Sequence, residues 1–596
     1  MRFFAPLIFV FQILIAQDIF QSAEIVIEAF GERLETKTHL TPYLFDIAKN
    51  GHLLDSEKKE ELKNLGFNFN QSLVSKSGAQ RTESRGLDRY YDKSYFRIHY
   101  TSTGRNAVDP TDQNSNSIPD YIETIAETFE TVSSSFHNQM GFVLPPSDGD
   151  YGSNFDNGGS DHYDIYIRQL ASNFYGYVQF EQYASGNGDN ETTSGVTEKN
   201  AITSYMTMRN GYKNFNLLSE IENIQTTIAH EFFHTVQLGY DGWEKQWLLE
   251  ATAVWMEEEM FDNINDVYQY MPDWFRYPYR SLDEEGSHAY GSYIFFEYID
   301  QHMGGNNTIK ELFELSVNND SRKKDGSHLA IDQALEQKGY SFKEALNSMS
   351  VANHIMSSET SALQYRYEEA DDYPVNGPSL FKTVNFFTGR SDFIESSSLR
   401  RFGSQYIKVI SNDPVLIDIE NQNGPASDIQ LNAILKRKDD SYLVISNKSI
   451  NIDPIDLKSI HLSVVSQDTV GSDWSYRITF KDGKRGTDAN MPIAFKLTSA
   501  FPNPFNDKIS FNLTVLNETE IEIKIYDIYG RNVKQIHNGI LKSGRYGFSW
   551  NAIDEFGKEA SSGVYFIQAR DNTSAQFKSA ISVSYTHLTL PTKRIV

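Results

Sequence analysis

The hydrophobic residues of this chain change their period part-way along it. From Glu220 to about Ala345 apolar side chains recur at helical spacing, most clearly at Ile221, Ile224, Ile228, Phe232 and Val236. After about residue 385 they fall into short alternating runs separated by turns: Gln405 to Ile410, Val415 to Ile419, Tyr442 to Ile445, His461 to Val465 and Tyr476 to Phe480. That is the pattern of a β-sandwich. Further upstream, Tyr95 to Tyr100, Tyr163 to Ile167 and Ile202 to Met208 read as strands, and Ile118 to Phe136 reads as a helix with Pro119 in its first turn. The expected fold is α+β: a mainly helical domain over 91–384, a sandwich over 385–480, a polar linker over 481–494 and a second sandwich over 495–583. Residues 17–90 carry helical patterning, with the polar stretch Ser75 to Arg85 read as a linker.

The start of the chain bears on where it works. Met1-Arg2 is followed by an apolar run from Phe3 to Ala16, broken only by Gln12. The run is shorter than the ~20 residues a membrane span needs and suits a secretory signal over 1–16, with a signal anchor as the alternative. No later stretch is apolar enough to span a bilayer. Cys is absent from all 596 residues, so no disulfide, thiolate ligand or cysteine nucleophile is available. Any metal must be held by His, Asp and Glu. A net charge of −26 gives no electrostatic case for nucleic acid or anionic lipid as a partner.

His230-Glu231-Phe232-Phe233-His234 lies on the strongest helical run. Residues four apart stand about 40° apart around a helix axis and one turn along it, so both imidazoles can reach one cation. Glu231, about 100° round the helix, stands beside that cation as a general base towards an attacking water. Glu250 falls in the apolar stretch Trp247 to Trp255, where a carboxylate is costly unless it is paired or binds metal. The gap from His234 allows a turn at Gly239 to Trp243 and an antiparallel return helix. His230, His234 and Glu250 would complete a catalytic zinc set of three protein ligands and an open position. The alternative is a satisfied buried glutamate beside unrelated histidines. Tyr290 or His288 would supply the electrophilic partner of the intermediate, or serve packing alone.

His230-Glu231-Phe232-Phe233-His234 followed by Trp247-Leu248-Leu249-Glu250-Ala251 resembles the gluzincin peptidases, whose third ligand is a glutamate on the next helix. The region from Phe96-Arg97-Ile98-His99-Tyr100 to about Tyr373 resembles a group of secreted bacterial metalloproteases. It includes Tyr163-Asp164-Ile165-Tyr166 and Tyr290-Gly291-Ser292-Tyr293-Ile294-Phe295-Phe296. The resemblance implies a zincin-like fold, Zn2+ and hydrolysis of a protein or peptide substrate. The gap from His234 to Glu250 is shorter than in several gluzincins.

Two acidic loops are candidates for Ca2+. Asp112, Asn114, Asn116, Asp120 and Glu123 fall at positions 1, 3, 5, 9 and 12 of a loop that leads into a helix, the ligand rhythm of an EF-hand. Ser117 stands where that pattern has Gly. The other reading is an Asn-rich turn that caps the helix. Asp148, Asp150, Asp156 and Asp161 form a weaker set.

In the last domain, Ala500-Phe501-Pro502-Asn503-Pro504-Phe505, Ile521 to Arg531 and Ser562-Gly563-Val564-Tyr565-Phe566 are alternating strands and turns of an Ig-like sandwich. The set resembles the type IX secretion sorting domain, which implies the type IX secretion machinery as a partner and release into the medium or attachment at the cell surface. Ser584 to Val596 breaks the pattern, reads as a non-native tail and is left out of the fold. The functional expectation is a secreted zinc endopeptidase. Its rivals are a catalytically idle surface adhesin on the same scaffold and an esterase or glycan-active hydrolase. Residues 17–90 are either an inhibitory propeptide or a helical N-terminal domain.

Overall fold

The computed structural model describes residues 19–582, apart from 32–38, 71, 77–80, 150–155, 172–173, 214, 216, 320–326, 361, 469–471, 486–494, 499, 506–507, 516–517, 530, 543 and 571–574. The expected signal segment and the tail from Ser584 lie outside the described residues. The fold contains both helices and several sheets, and it divides into two compact units. One comprises Met1–Tyr270, Glu285–Phe296 and Ile309–Ala330; the other comprises Met271–Glu284, Glu297–Thr308 and Ile331–Val596.

The first unit is built around a five-stranded sheet of β1 (Arg89–Lys93), β2 (Phe96–Tyr100), β3 (Tyr163–Arg168), β4 (Gly176–Tyr183) and β5 (Ile202–Arg209), in the order β1-β2-β3-β5-β4. β2, β3 and β5 run parallel, while β4 lies antiparallel on the edge beside β5. Its helices begin with α1 over 19–30, α2 (Thr41–Asn50) and α3 (Ser56–Asn64). Next come α4 (Asp120–Ser134), α5 (Glu220–Leu238) and α6 (Gln246–Phe261). Pro119 is the residue before α4 rather than one inside its first turn.

α5 is the central element. Ser219 and Glu222 form a capping box: the Ser219 hydroxyl accepts from Glu222 N and the Glu222 carboxylate accepts from Ser219 N at 2.7 Å. Two of the helix's orphan donors are thereby satisfied. Phe232 packs edge-on against Phe96, Phe129 and Tyr163, and Phe233 against Phe136, Phe142 and Phe313. Each such buried side chain contributes roughly 1.5–3 kcal/mol. A turn then returns the chain along α6; at Gly242 a Cβ would stand 2.3 Å from Ile202 Cδ1, so a larger residue would have to push that side chain aside.

The described residues of the stretch from Ser75 to Arg85 do not form a linker. Arg81 is 1% exposed and is held by Glu181, Asp164 and Asp148, while buried Lys76 and Glu83 pair at 2.8 Å. Its charges satisfy one another inside the fold, so polarity alone misled.

The remaining helices are α7 (Met271–Arg276), α8 (Ser287–Gly291), α9 (Tyr293–His302), α10 (Asn306–Ser316), α11 (Ser327–Gln337) and α12 (Phe342–Ile355). In the second unit two sheets enclose one core. β6 (Leu380–Asn385), β8 (Ser404–Ile410), β10 (Ile429–Arg437), β11 (Tyr442–Ser446) and β13 (Leu457–Ser466) form one; β7 (Asp392–Leu399), β9 (Val415–Asn421), β12 (Ser449–Ile452) and β14 (Trp474–Asp482) form the other. β6 pairs with β8, so this body begins at Leu380, inside the stretch assigned to the helical domain, and β14 carries it two residues past 480. A last pair of sheets shares a separate core. One comprises β15 (Phe495–Leu497), β16 (Ile509–Val515) and β19 (Gly544–Trp550); the other comprises β17 (Thr519–Asp527), β18 (Asn532–Leu541), β20 (Gly563–Arg570) and β21 (Ala575–Ser582).

Candidate metal centre

His230, Glu231 and His234 on α5 and Glu250 on α6 are each no more than 2% exposed. The two helices are locked in register by Gln237, whose amide nitrogen donates to Leu249 O at 2.9 Å and to Thr252 Oγ1 at 2.8 Å. Leu249 O can only accept, so the Gln237 amide oxygen must face the other way, where it meets His234 Nδ1 at 2.9 Å. That fixes the proton of His234 on Nδ1 and leaves Nε2 free to bind. His230 is oriented in the same sense, its Nδ1 lying 2.7 Å from Glu257 Oε1. A carboxylate behind the ring is the usual support of a metal-binding histidine.

The inward-facing atoms converge. His230 Nε2 and His234 Nε2 are 3.2 Å apart, Glu250 Oε2 is 3.4 Å from His230 Nε2, and Glu250 Oε1 is 3.4 Å from His234 Nε2. Ligands about 2.0–2.1 Å from a tetrahedral zinc stand roughly 3.3–3.4 Å from each other. The donors therefore have the spacing of one face of such a tetrahedron. Among the described residues, no donor with good hydrogen-bond geometry reaches the buried Glu250 Oε2. Three carboxylates, Glu231, Glu250 and Glu257, surround two imidazoles in a desolvated pocket, a balance that a divalent cation would neutralise.

The local charges follow from these contacts. Burial works to raise the Glu250 carboxyl, but His234 and His230 outweigh it and hold the pKa down to about 2. Burial also opposes ionisation of Glu231, and there His39, His230 and His234 prevail and lower it. His230 is depressed by burial and raised more strongly by Glu250 and Glu257, ending well above its ordinary value. Burial leads in lowering His234.

Tyr290 stands beside this cluster, its ring 6.3 Å from that of His230 and stacked on Tyr270 at 5.2 Å. Burial first, then the charge of Glu250, raises its pKa well above the ordinary value and keeps it a proton donor. His288, two residues earlier on α8, lies about 200° round the helix from Tyr290. Four contributors gave no sequence spacing to follow or were passed over. Glu257 lies two turns beyond Glu250 on the same face, and Gln237 one turn beyond His234, so periodicity could have found both. His39 and Thr41 come from the N-terminal region: the His39 ring packs 4.7 Å from that of His230, and Thr41 Oγ1 donates to Glu231 Oε2 at 2.7 Å.

In the loop before α4, the Asp112 carboxylate accepts from Asn116 N and Ser117 N at 3.2 and 2.8 Å, and Asp120 Oδ1 accepts from Gln113 N at 3.0 Å. Glu123 accepts from Asn114 Nδ2 at 2.9 Å and from Asn116 Nδ2 at 2.6 Å. The five residues share one turn, but the amides of Asn114 and Asn116 stand between the carboxylates. In the second loop Asp148 pairs with the Arg81 guanidinium and Asp156 accepts from Arg81 N at 2.6 Å, so both serve that arginine rather than a cation. Asp150 lies outside the described residues.

Among known proteins, the family of secretion system C-terminal sorting domains matches residues 499–583. These residues are a type IX secretion sorting domain, which marks the chain for export to the cell surface or the medium. No described helix is long and apolar enough to cross a membrane. No curated protein matches the chain. Among solved structures, the chain is similar to dimeric latent PorU from Porphyromonas gingivalis at 13% identity and a TM-score of 0.17, covering 30% of this chain and 19% of that one. It is also similar to PorZ of the type IX secretion system of Porphyromonas gingivalis at 22% identity and a TM-score of 0.12, covering 18% and 14%. The chain thus spans less than a fifth of either of those proteins.

Proposed function

We propose that this is an exported zinc-dependent endopeptidase of gluzincin type, with a zincin-like domain formed by the sheet, α5 and α6. The observation that carries the reading is the 3.2–3.4 Å triangle of His230 Nε2, His234 Nε2 and a Glu250 carboxylate, with both Nδ1 atoms engaged behind it. His230, His234 and Glu250 would hold the ion. When bound, zinc supplies Lewis acidity, which polarises a peptide carbonyl and makes water acidic near neutral pH. Glu231 is held ionised beside that point, so it accepts the proton of the attacking water and passes it to the departing amine nitrogen. Tyr290 donates a hydrogen bond to the carbonyl oxygen as it gains charge. Peptide-library digestion by zinc-loaded protein, with zinc content measured alongside, tests the reading. Bound zinc with no cleavage of any peptide, whether or not the segment around α2 has been displaced, would overturn it.

The burial of all four groups favours a second reading, an idle surface adhesin that keeps the metal. Retention of an ionised Glu231, which no structural metal site requires, weighs for the peptidase. We extend the proposal to Ca2+ at Asp112, Asn114, Asn116, Asp120 and Glu123, where rotation of the two asparagine amides would present oxygen in place of nitrogen.

A further inference from the structure

An enzyme that cuts peptides must admit a chain to its metal, yet His230, Glu231, His234 and Glu250 are no more than 2% exposed. The cover is the start of α2 and the residues just before it. Thr41, itself 0% exposed, makes two contacts with one hydroxyl: it donates to Glu231 Oε2 at 2.7 Å and accepts from Val178 N at 3.0 Å. Val178 belongs to β4, the edge strand of the sheet, and a sheet edge is where an extended chain can add by backbone pairing. Thr41 therefore engages the proton acceptor and the strand edge at the same time, both of which a substrate would need.

His39 covers the metal side. Its ring stacks on His230 and on Tyr290, with centroids 4.7 and 4.8 Å away, and its Nε2 meets Tyr270 OH at 3.3 Å. A nitrogen of His39 lies within 4.8 Å of a ligand atom of His230 and of a Glu231 oxygen. His39 thus stands over His230 and Glu231, its Nδ1 4.0 Å from Glu231 Oε1. Phe45, one turn along α2, seals the cover against Phe180 at 4.1 Å and against the edge of His234 at 6.5 Å.

The cover meets the rest of the first unit along an open cleft as well as over the site. Ala29, Phe30, Lys63 and Gly66 of the N-terminal region face Arg168 and Tyr177 of the sheet domain across a solvent-open cleft of about 530 Å³, with Phe30 and Tyr177 meeting edge-on at 5.6 Å.

We propose that His39 and Thr41 form an autoinhibitory latch, with His39 covering His230 and Tyr290 and Thr41 occupying Glu231 and the edge of β4. The chain as folded here is then latent, and displacement of the segment around α2 activates it. The proposal rests on the zinc peptidase reading.

The test uses the full chain loaded with zinc, with a sequence-specific protease site inserted in the exposed turn after Gly86, where a Cβ would meet nothing within 4 Å. The uncut chain, the cut chain and an uncut His39→Ala/Thr41→Val chain are compared by two readouts. These are the rate of zinc loss to excess dipicolinate and the turnover of a short fluorescence-quenched peptide. The latch predicts slow zinc loss and low turnover in the uncut chain. Both should rise at least tenfold in the cut chain or in the double variant. Equal zinc loss in all three overturns it, as does an uncut chain that already turns over at the rate of the other two. Faster zinc loss without hydrolysis of any peptide keeps the latch and overturns the peptidase. A full chain that binds no zinc overturns both.

Discussion

Two glutamates facing the same pocket are expected to respond differently to the same substitution. Glu231→Gln keeps volume and hydrogen bonding but cannot accept a proton, so in the activated protein kcat should fall by ~10²–10⁴-fold with zinc content unchanged. Glu250→Gln removes the one anionic member of the proposed ligand set, so equilibrium dialysis should show weakened zinc binding. Comparable zinc loss from both variants would mean that the roles are misassigned. Glu257 is not one of the proposed ligands, yet Glu257→Gln removes the charge behind His230 Nδ1, 2.7 Å away. Losses of such supports typically cost ~10–100-fold in metal affinity, and titration against a competing chelator reads this directly. The sequence made the triad legible because helical spacing carries position: His230, His234 and the buried Glu250 follow from pitch and hydrophobicity alone. His39 and Thr41 were illegible for the opposite reason, since their partners lie roughly 190 positions away and no period links them.

At the scale of elements, α5, α6 and the turn between them were readable from periodicity and from Gly239. β6 was not: its burial alternation is absent, with five of six residues exposed, and it is a strand only because β8 offers an edge. Ser75 to Arg85 failed as a linker because composition cannot see pairing. Removing Arg81 leaves Glu181, Asp164 and Asp148 facing one another in a buried site, so Arg81→Met should destabilise by about 3–5 kcal/mol, read as a fall in the denaturant midpoint. The loop into α4 gives a milder test. If it takes Ca2+, adding millimolar calcium should raise the melting temperature, and Glu123→Gln should remove the increment. An unchanged curve leaves the loop as a helix-entry turn built from its own amides.

Over the whole molecule, the change in hydrophobic period put the sandwich at 385, five residues after β6 begins at Leu380, whereas the division into compact units is set by contacts that no window along the chain contains. Stability against pH is likewise a property of the whole, and one residue should dominate part of it. Glu297 on α9 is 7% exposed, and burial, reinforced by Asp300, Glu369 and Glu368, pushes its pKa from 4.5 to about 8. The sign follows from which state holds the proton. Below about pH 4.5 both the folded and unfolded chains are protonated there and the group contributes nothing to the slope. Between that pH and about 8 the unfolded chain has lost the proton and the folded chain keeps it, so stability falls as pH rises. At about 1.4 kcal/mol per pH unit between the two values, the loss amounts to a few kcal/mol. Glu297→Gln is neutral throughout, retains an acceptor for the Gln301 amide and lacks that slope. All other titrating groups are common to both proteins and cancel in the difference. The variant's advantage in melting temperature should therefore grow by several degrees from pH 5 to pH 8, and a difference that stays flat over that window would show that Glu297 is ionised in the folded chain.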